Sequence, residues 1–144
     1  MSDLIEYQIK GIEILEFNIT EQREKLGSNI TYGFGFNLNH TMDIDTKTIS
    51  VICTLKISDA DDNLHLGGIT VACIFEITDF EPYVKKAPLK VNFPEHFLQS
   101  INSITLSTVR GIAFSHFKGT FLHHAILPIV DISKLEPMAM NDPK

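Results

Sequence analysis

Along the middle of the chain apolar and polar residues alternate one for one. Ile30, Tyr32, Phe34, Phe36, Leu38, His40, Met42 and Ile44 take the even positions, and Thr31, Gly33, Gly35, Asn37, Asn39, Thr41 and Asp43 lie between them. A period of two predicts a strand with one apolar and one polar face, because successive side chains point to opposite sides of a sheet. The run is long for one strand, so a bend is expected near Asn39 to Thr41. Asp45-Thr46-Lys47 reads as a turn, after which Ile49, Val51, Cys53, Leu55 and Ile57 carry the apolar face on odd positions. Asp59-Ala60-Asp61-Asp62-Asn63 reads as a second turn, followed by Ile69, Val71, Cys73, Phe75 and Ile77. Three strands joined by short polar turns predict an antiparallel meander.

Upstream, Tyr7 to Thr20 also reads as extended, but its apolar phase changes. Ile5, Tyr7 and Ile9 are odd, Ile12 and Ile14 even, and Leu15, Phe17 and Ile19 odd again. Gly11 at the first change predicts a bulge that re-aims the strand. Such a strand can serve two packing partners, the core and another subunit. After Pro88 the period becomes helical: Phe97, Leu98, Ile101, Ile104, Ile112 and Phe117 predict a helix from Pro94 to about Lys118, with Gly119 just past its end. Ser103, Ser107, Gly111 and Ser115 recur every four residues, a small-residue ridge for close approach of either the domain's own sheet or another subunit. Ala125 to Val130 reads as extended, Asp131 to Leu135 as a short helical turn capped by Asp131, and Glu136 to Lys144 as a frayed tail. The expected fold is an α+β single domain over residues 1–144. It consists of a four-stranded antiparallel sheet, one long helix and a short C-terminal helical turn.

Composition narrows the function classes. A chain of 144 residues with 44% apolar and 21% charged residues is globular and large enough to bury a core. A net charge of −6 argues against nucleic acid or an anionic membrane as partner. No stretch approaches the roughly 18 apolar residues of a membrane span, and the start, MSDLIEYQIK, has no signal-peptide pattern. Cytoplasm is the expected compartment, with Cys53 and Cys73 reduced.

The segment Asn102 to Leu135 resembles the C-terminal region of the SecB family of export chaperones. The resemblance rests on Leu106 to Gly111 in the helix, Lys118-Gly119-Thr120-Phe121 at its end, Ile126-Leu127-Pro128-Ile129, and Asp131 through Leu135. The strand Val71 to Ile77, with Glu76, is similar to the family's fourth strand. The resemblance implies a homotetramer, a dimer of dimers, whose long helices meet in the middle. It also implies ATP-independent holding of unfolded polypeptide in apolar grooves, with no cofactor and no catalytic group. Groove candidates are then Leu26 in the link after the first strand, the row Tyr32, Phe34 and Phe36, and Phe80, Tyr83 and Phe121 near element ends. The aromatic row has a second reading, as core beneath the helix. Oligomer-interface candidates are Ser103, Ser107, Gly111 and Ser115. Three departures are visible: the second helix meets Pro137 early, the family's acidic C-terminal extension is reduced, and the link offers Leu26 in place of aromatics. Clients could pass to a Sec translocase motor, or the chain could serve an antitoxin, as SecB-like relatives do.

Other chemistry is poorly supported. His116, His123 and His124 match no common zinc spacing, and adjacent residues of an extended segment face opposite ways. Asp59, Asp61 and Asp62 lack the Gly and terminal Glu of a calcium loop. No metal, phosphate loop or nucleophile motif is expected. The competing class is a small-ligand-binding or enzymatic domain on a curved sheet, for which His40 is the one polar candidate on the apolar face of the second strand.

Overall fold

The structure is a computed structural model, and it describes residues 5–20, 31–61, 63–86, 89–130 and 140–141. Four long strands form the sheet: β1 (Tyr7–Ile19), β2 (Tyr32–Asp43), β3 (Thr48–Asp59) and β4 (His65–Ile77). Two short strands, β5 (Val84–Lys86) and β6 (Leu89–Val91), follow a single 3-10 turn, and then come α1 (Glu95–His116) and β7 (Met140–Asn141). The sheet order is β1-β4-β3-β2-β7, antiparallel except that β7 runs parallel to β2. The expected meander is β2-β3-β4, and β1 returns beside β4, a Greek-key order with its long link at the beginning.

The turns form where short acidic side chains take over backbone bonding. The Asp43 carboxylate accepts the N–H groups of Asp45 at 3.0 Å and Thr46 at 3.3 Å, and Lys47 sits at φ 58. The Asp59 carboxylate accepts the Asp61 N–H at 2.9 Å, and Asn63 takes φ 56, a conformation asparagine tolerates. Both predicted turns are therefore present, and in the second Ala60, Asp61 and Asn63 are exposed while Asp59 is half-buried.

β1 carries two register shifts against β4, between Ile9 and Gly11 and between Ile14 and Glu16. They fall where the apolar phase changes, so Tyr7, Ile9, Ile12, Ile14, Phe17 and Ile19 all lie opposite the core-facing row of β4 or its glycine. β2, by contrast, pairs with β3 from Tyr32 to Asp43 with no shift, and no bulge marks the bend expected near Asn39 to Thr41.

The core lies between this face and α1. Ile49, Val51, Cys53, Leu55 and Ile57 of β3 and Ile69, Val71, Cys73, Phe75 and Ile77 of β4 are buried, under Phe97, Ile101, Leu106, Val109 and Ala113 of the helix. The buried Thr105 hydroxyl donates to the Ile101 carbonyl at 2.8 Å, so its polar atom is satisfied inside the helix. Pro94 stands immediately before Glu95 as the helix cap, one position earlier than its expected place within the first turn. Beyond His116, Gly119 at φ 84 turns the chain. This brings Leu122 back over Gly68's neighbour Gly67, where a Cβ would meet the Leu122 side chain at 2.6 Å and the Asn18 carbonyl at 3.0 Å. At Gly68 a Cβ would stand 2.7 Å from the Leu55 carbonyl.

The hairpin of β5 and β6 was not expected, since three residues per strand are too few to show a period. Its surroundings are aromatic: Tyr83 stacks on Phe93 at 5.3 Å, Phe93 meets Phe97 at 5.2 Å, and Phe97 meets Tyr7 at 5.1 Å. Asp131 to Leu135, the expected helical turn, lies outside the described residues.

Candidate functional site

Among the described residues two apolar surfaces are left uncovered, one at each side of the sheet. The helix lies over β3 and β4, so the inner row of β1 is left open beside it. Ile9 is 44% exposed, Ile12 47%, Ile14 44%, Phe17 39% and Ile19 37%, and Leu15, in the second register shift, is also exposed. Among the described residues no strand pairs with the outer edge of β1. Phe17 reaches the helix end, with ring centroids 5.1 Å from Phe117 and 5.4 Å from His116. An exposed apolar edge of this length is a candidate contact for another chain, because such edges left bare are prone to aggregate.

The second surface lies on the β2 side. Tyr32, Phe34, Phe36 and Leu38 are half-buried against the core, so the row belongs partly to both of its expected readings. The Tyr32 hydroxyl donates to the backbone carbonyl of Phe121 at 3.2 Å, joining two of the groove candidates. Phe121 itself is exposed, as are Phe114, Ile126 and Ile129. The segment after Gly119 is held by Arg110, whose guanidinium donates to the carbonyls of Leu127 at 2.8 Å and Pro128 at 3.0 Å. With Ala125 and Leu127 buried, Ile126 is turned outward and Ile129 stands 92% exposed.

The remaining candidates separate. The expected exposure of Phe80 is not found: it is buried, 6.2 Å from Phe93, because the 3-10 turn folds it inward. Tyr83 is half-buried in the same aromatic cluster, away from Phe121. Leu26 lies outside the described residues. Ser103, Ser107, Gly111 and Ser115 are exposed, and a Cβ on Gly111 would meet nothing within 4 Å. The ridge is therefore not used for packing on the domain's own sheet.

His40 is fully buried between β2 and α1, its Nε2 2.7 Å from Oδ1 of Asn102. Its Nδ1 has no partner among the described residues. Burial pushes its pKa below the ordinary histidine value, against the opposing pull of the Asn102 hydrogen bond. A side chain with no exposed surface cannot meet a ligand from solvent, which removes the one residue the enzymatic alternative relied on. Burial, with the neighbouring Cys73 as a smaller cause, pushes the Cys53 thiol up to about 12, and burial likewise raises that of Cys73. Neither is a nucleophile at neutral pH. Among the described residues no group of three or more His, Cys, Asp or Glu could hold a metal ion, and no helix is long and apolar enough to cross a membrane.

The opposite face of the sheet is polar. A shallow depression of about 700 Å³ is lined there by Glu16, Asn18, Thr54, Lys56 and His65 among others. Nearby, Lys10 Nζ lies 3.3 Å from the Glu76 carboxylate.

The exposed members of β1 were legible as a phase-switching strand but not as a surface, because period alone does not show where a helix stops covering a sheet. The alternation of Ala125, Ile126 and Leu127 could have given Ile126 as outward, whereas the exposure of Ile129 breaks that period after Pro128.

No protein-family model matches the sequence, and no curated protein matches it. Among solved structures, the chain is similar to the Mycobacterium tuberculosis Rv1957 SecB-like chaperone, a structure of its complex with a ChAD peptide from the Rv1956 HigA1 antitoxin. The similarity covers 86% of this chain and 90% of that one, at a TM-score of 0.62 and 14% sequence identity. A four-stranded antiparallel sheet in Greek-key order, backed on one face by one long helix, gives this chain the fold of a SecB-like protein.

Proposed function

We propose that this chain is a chaperone that holds non-native polypeptide in extended form, without ATP and without catalysis. The observation that carries the reading is the β2 side of the molecule. There a half-buried aromatic row, the exposed Phe121 pinned to it by Tyr32, and a strand edge mostly unpaired among the described residues lie together. Apolar contacts of about 25 cal/mol per Å² supply affinity without demanding a sequence, and main-chain pairing along a strand edge adds affinity of the same tolerant kind. The fold shared with a peptide-bound chaperone supports the assignment.

The β1 row is then the surface for a second copy, and the ridge of Ser103, Ser107, Gly111 and Ser115 is a second contact that builds a homotetramer. A soluble, cytoplasmic single-domain protein fits this use. Delivery of clients to a Sec motor is one version of the activity. Service to a dedicated partner such as an antitoxin is the other, and the peptide bound to the structural neighbour favours it. The test is suppression of aggregation of a chemically denatured protein, followed by light scattering at one tetramer per client. Unchanged scattering at that ratio sinks the holding function, while suppression for one antitoxin-like client alone selects the dedicated version.

A further inference from the structure

The edge of β2 is already occupied at one end by the chain itself. Met140 and Asn141 pair with His40 and Thr41 as a parallel strand. Among the described residues no strand lies against the same edge from Tyr32 to Asn39. The occupied end is the fixed one, where His40 is fully buried and Met42 almost so. We propose that this C-terminal strand is an internal competitor: it takes the edge an extended client would use, and a client must displace it to pair along the whole of β2. The inference rests on the reading that this edge receives extended polypeptide.

Two features make the tail a weak occupant. Among the described residues its pairing spans two, against the twelve of β2. Pro137 and Pro143 flank it in the sequence, and neither has the N–H that a ladder needs, so each interrupts backbone pairing where it stands. A client segment without proline could pair with all of β2 and so outcompete it. Occupation by the tail reduces apparent client affinity by the fraction of molecules whose edge is free. The device sets a threshold, favouring long extended segments over short ones.

The test uses the full chain with Thr41→Cys and Asn141→Cys. Paired strands lie about 4.8 Å apart, within the roughly 4.4–6.8 Å that a disulfide accepts between Cα atoms. Binding of a fluorescent, reduced and carboxymethylated unfolded protein is measured on oxidised and reduced samples of the same preparation. The oxidised form, with the tail locked down, is expected to bind at least about tenfold more weakly than the reduced form. A second variant, Met140→Pro, frees the edge and is expected to bind about threefold more tightly than the unaltered chain. Equal affinity in the locked and reduced forms, with the disulfide verified by mass, overturns the competitor and leaves the holding function standing. Failure of every form to bind overturns both.

Discussion

The two edges of the sheet are built differently. β1 bulges twice, and the bulges bring every apolar residue of its inner row to the same side, where five large side chains remain more than a third exposed. β2 is regular throughout, its aromatic row is half covered, and a two-residue strand of the same chain pairs with one end. An edge that is open, long and apolar is fit only for a permanent partner, since leaving it bare invites aggregation. An edge that is half covered and weakly capped is suited to a partner that comes and goes. Under the proposed function the same sheet separates assembly from binding by the quality of its two margins.

The sharpest way to break this division is to charge β1. Ile12→Asp with Ile14→Asp puts two carboxylates in the inner row, and the solution mass is expected to fall from a multiple of the 16.2 kDa chain mass to one copy. Persistence of the oligomer would mean that β1 is not the assembly edge. On the other margin, Phe121→Asp is expected to weaken binding of an unfolded client by about tenfold with the assembly unchanged, by titration of a labelled client. A loss of assembly instead would merge the two surfaces.

Smaller effects test what holds the margins apart. Gly68→Ala forces a methyl group against the Leu55 carbonyl where β4 meets β3, and should cost about 1–3 kcal/mol in denaturant unfolding. His40, beneath the capped end of β2, is expected to give the fold a pH dependence. Its folded-state pKa is lowered by burial, so the unfolded chain takes the proton more readily. Stability is then complete above the unfolded value, about 6.5, and declines as pH falls through the folded one. His40→Gln should flatten melting temperature against pH between about 7 and 5, and an unchanged slope would assign the effect elsewhere.

Much of this was written in the periodicities. The alternation from Tyr32 to Met42 and of the next two strands, the phase changes around Gly11 and Leu15, and the helix after Pro94 each appear where the pattern put them, because burial of one face imposes that pattern. The resemblance in Asn102 to Leu135 agrees with the fold of the structural neighbour. What periodicity could not supply was coverage. Phe80 sits at an element end and yet is buried, because a 3-10 turn and a three-residue hairpin fold it under Phe93. The β7 strand has two residues, too few for any pattern, and its role depends wholly on what it lies beside.

The buried thiols have a practical consequence. Cys53 and Cys73 lie in the core with their ionisation suppressed, so a thiol-reactive dye should ignore the native protein and label it only on opening. The chain carries its own clock of unfolding, separate from any fluorescence on the client. In an aggregation assay that clock distinguishes a molecule that holds its guest from one that has itself come apart.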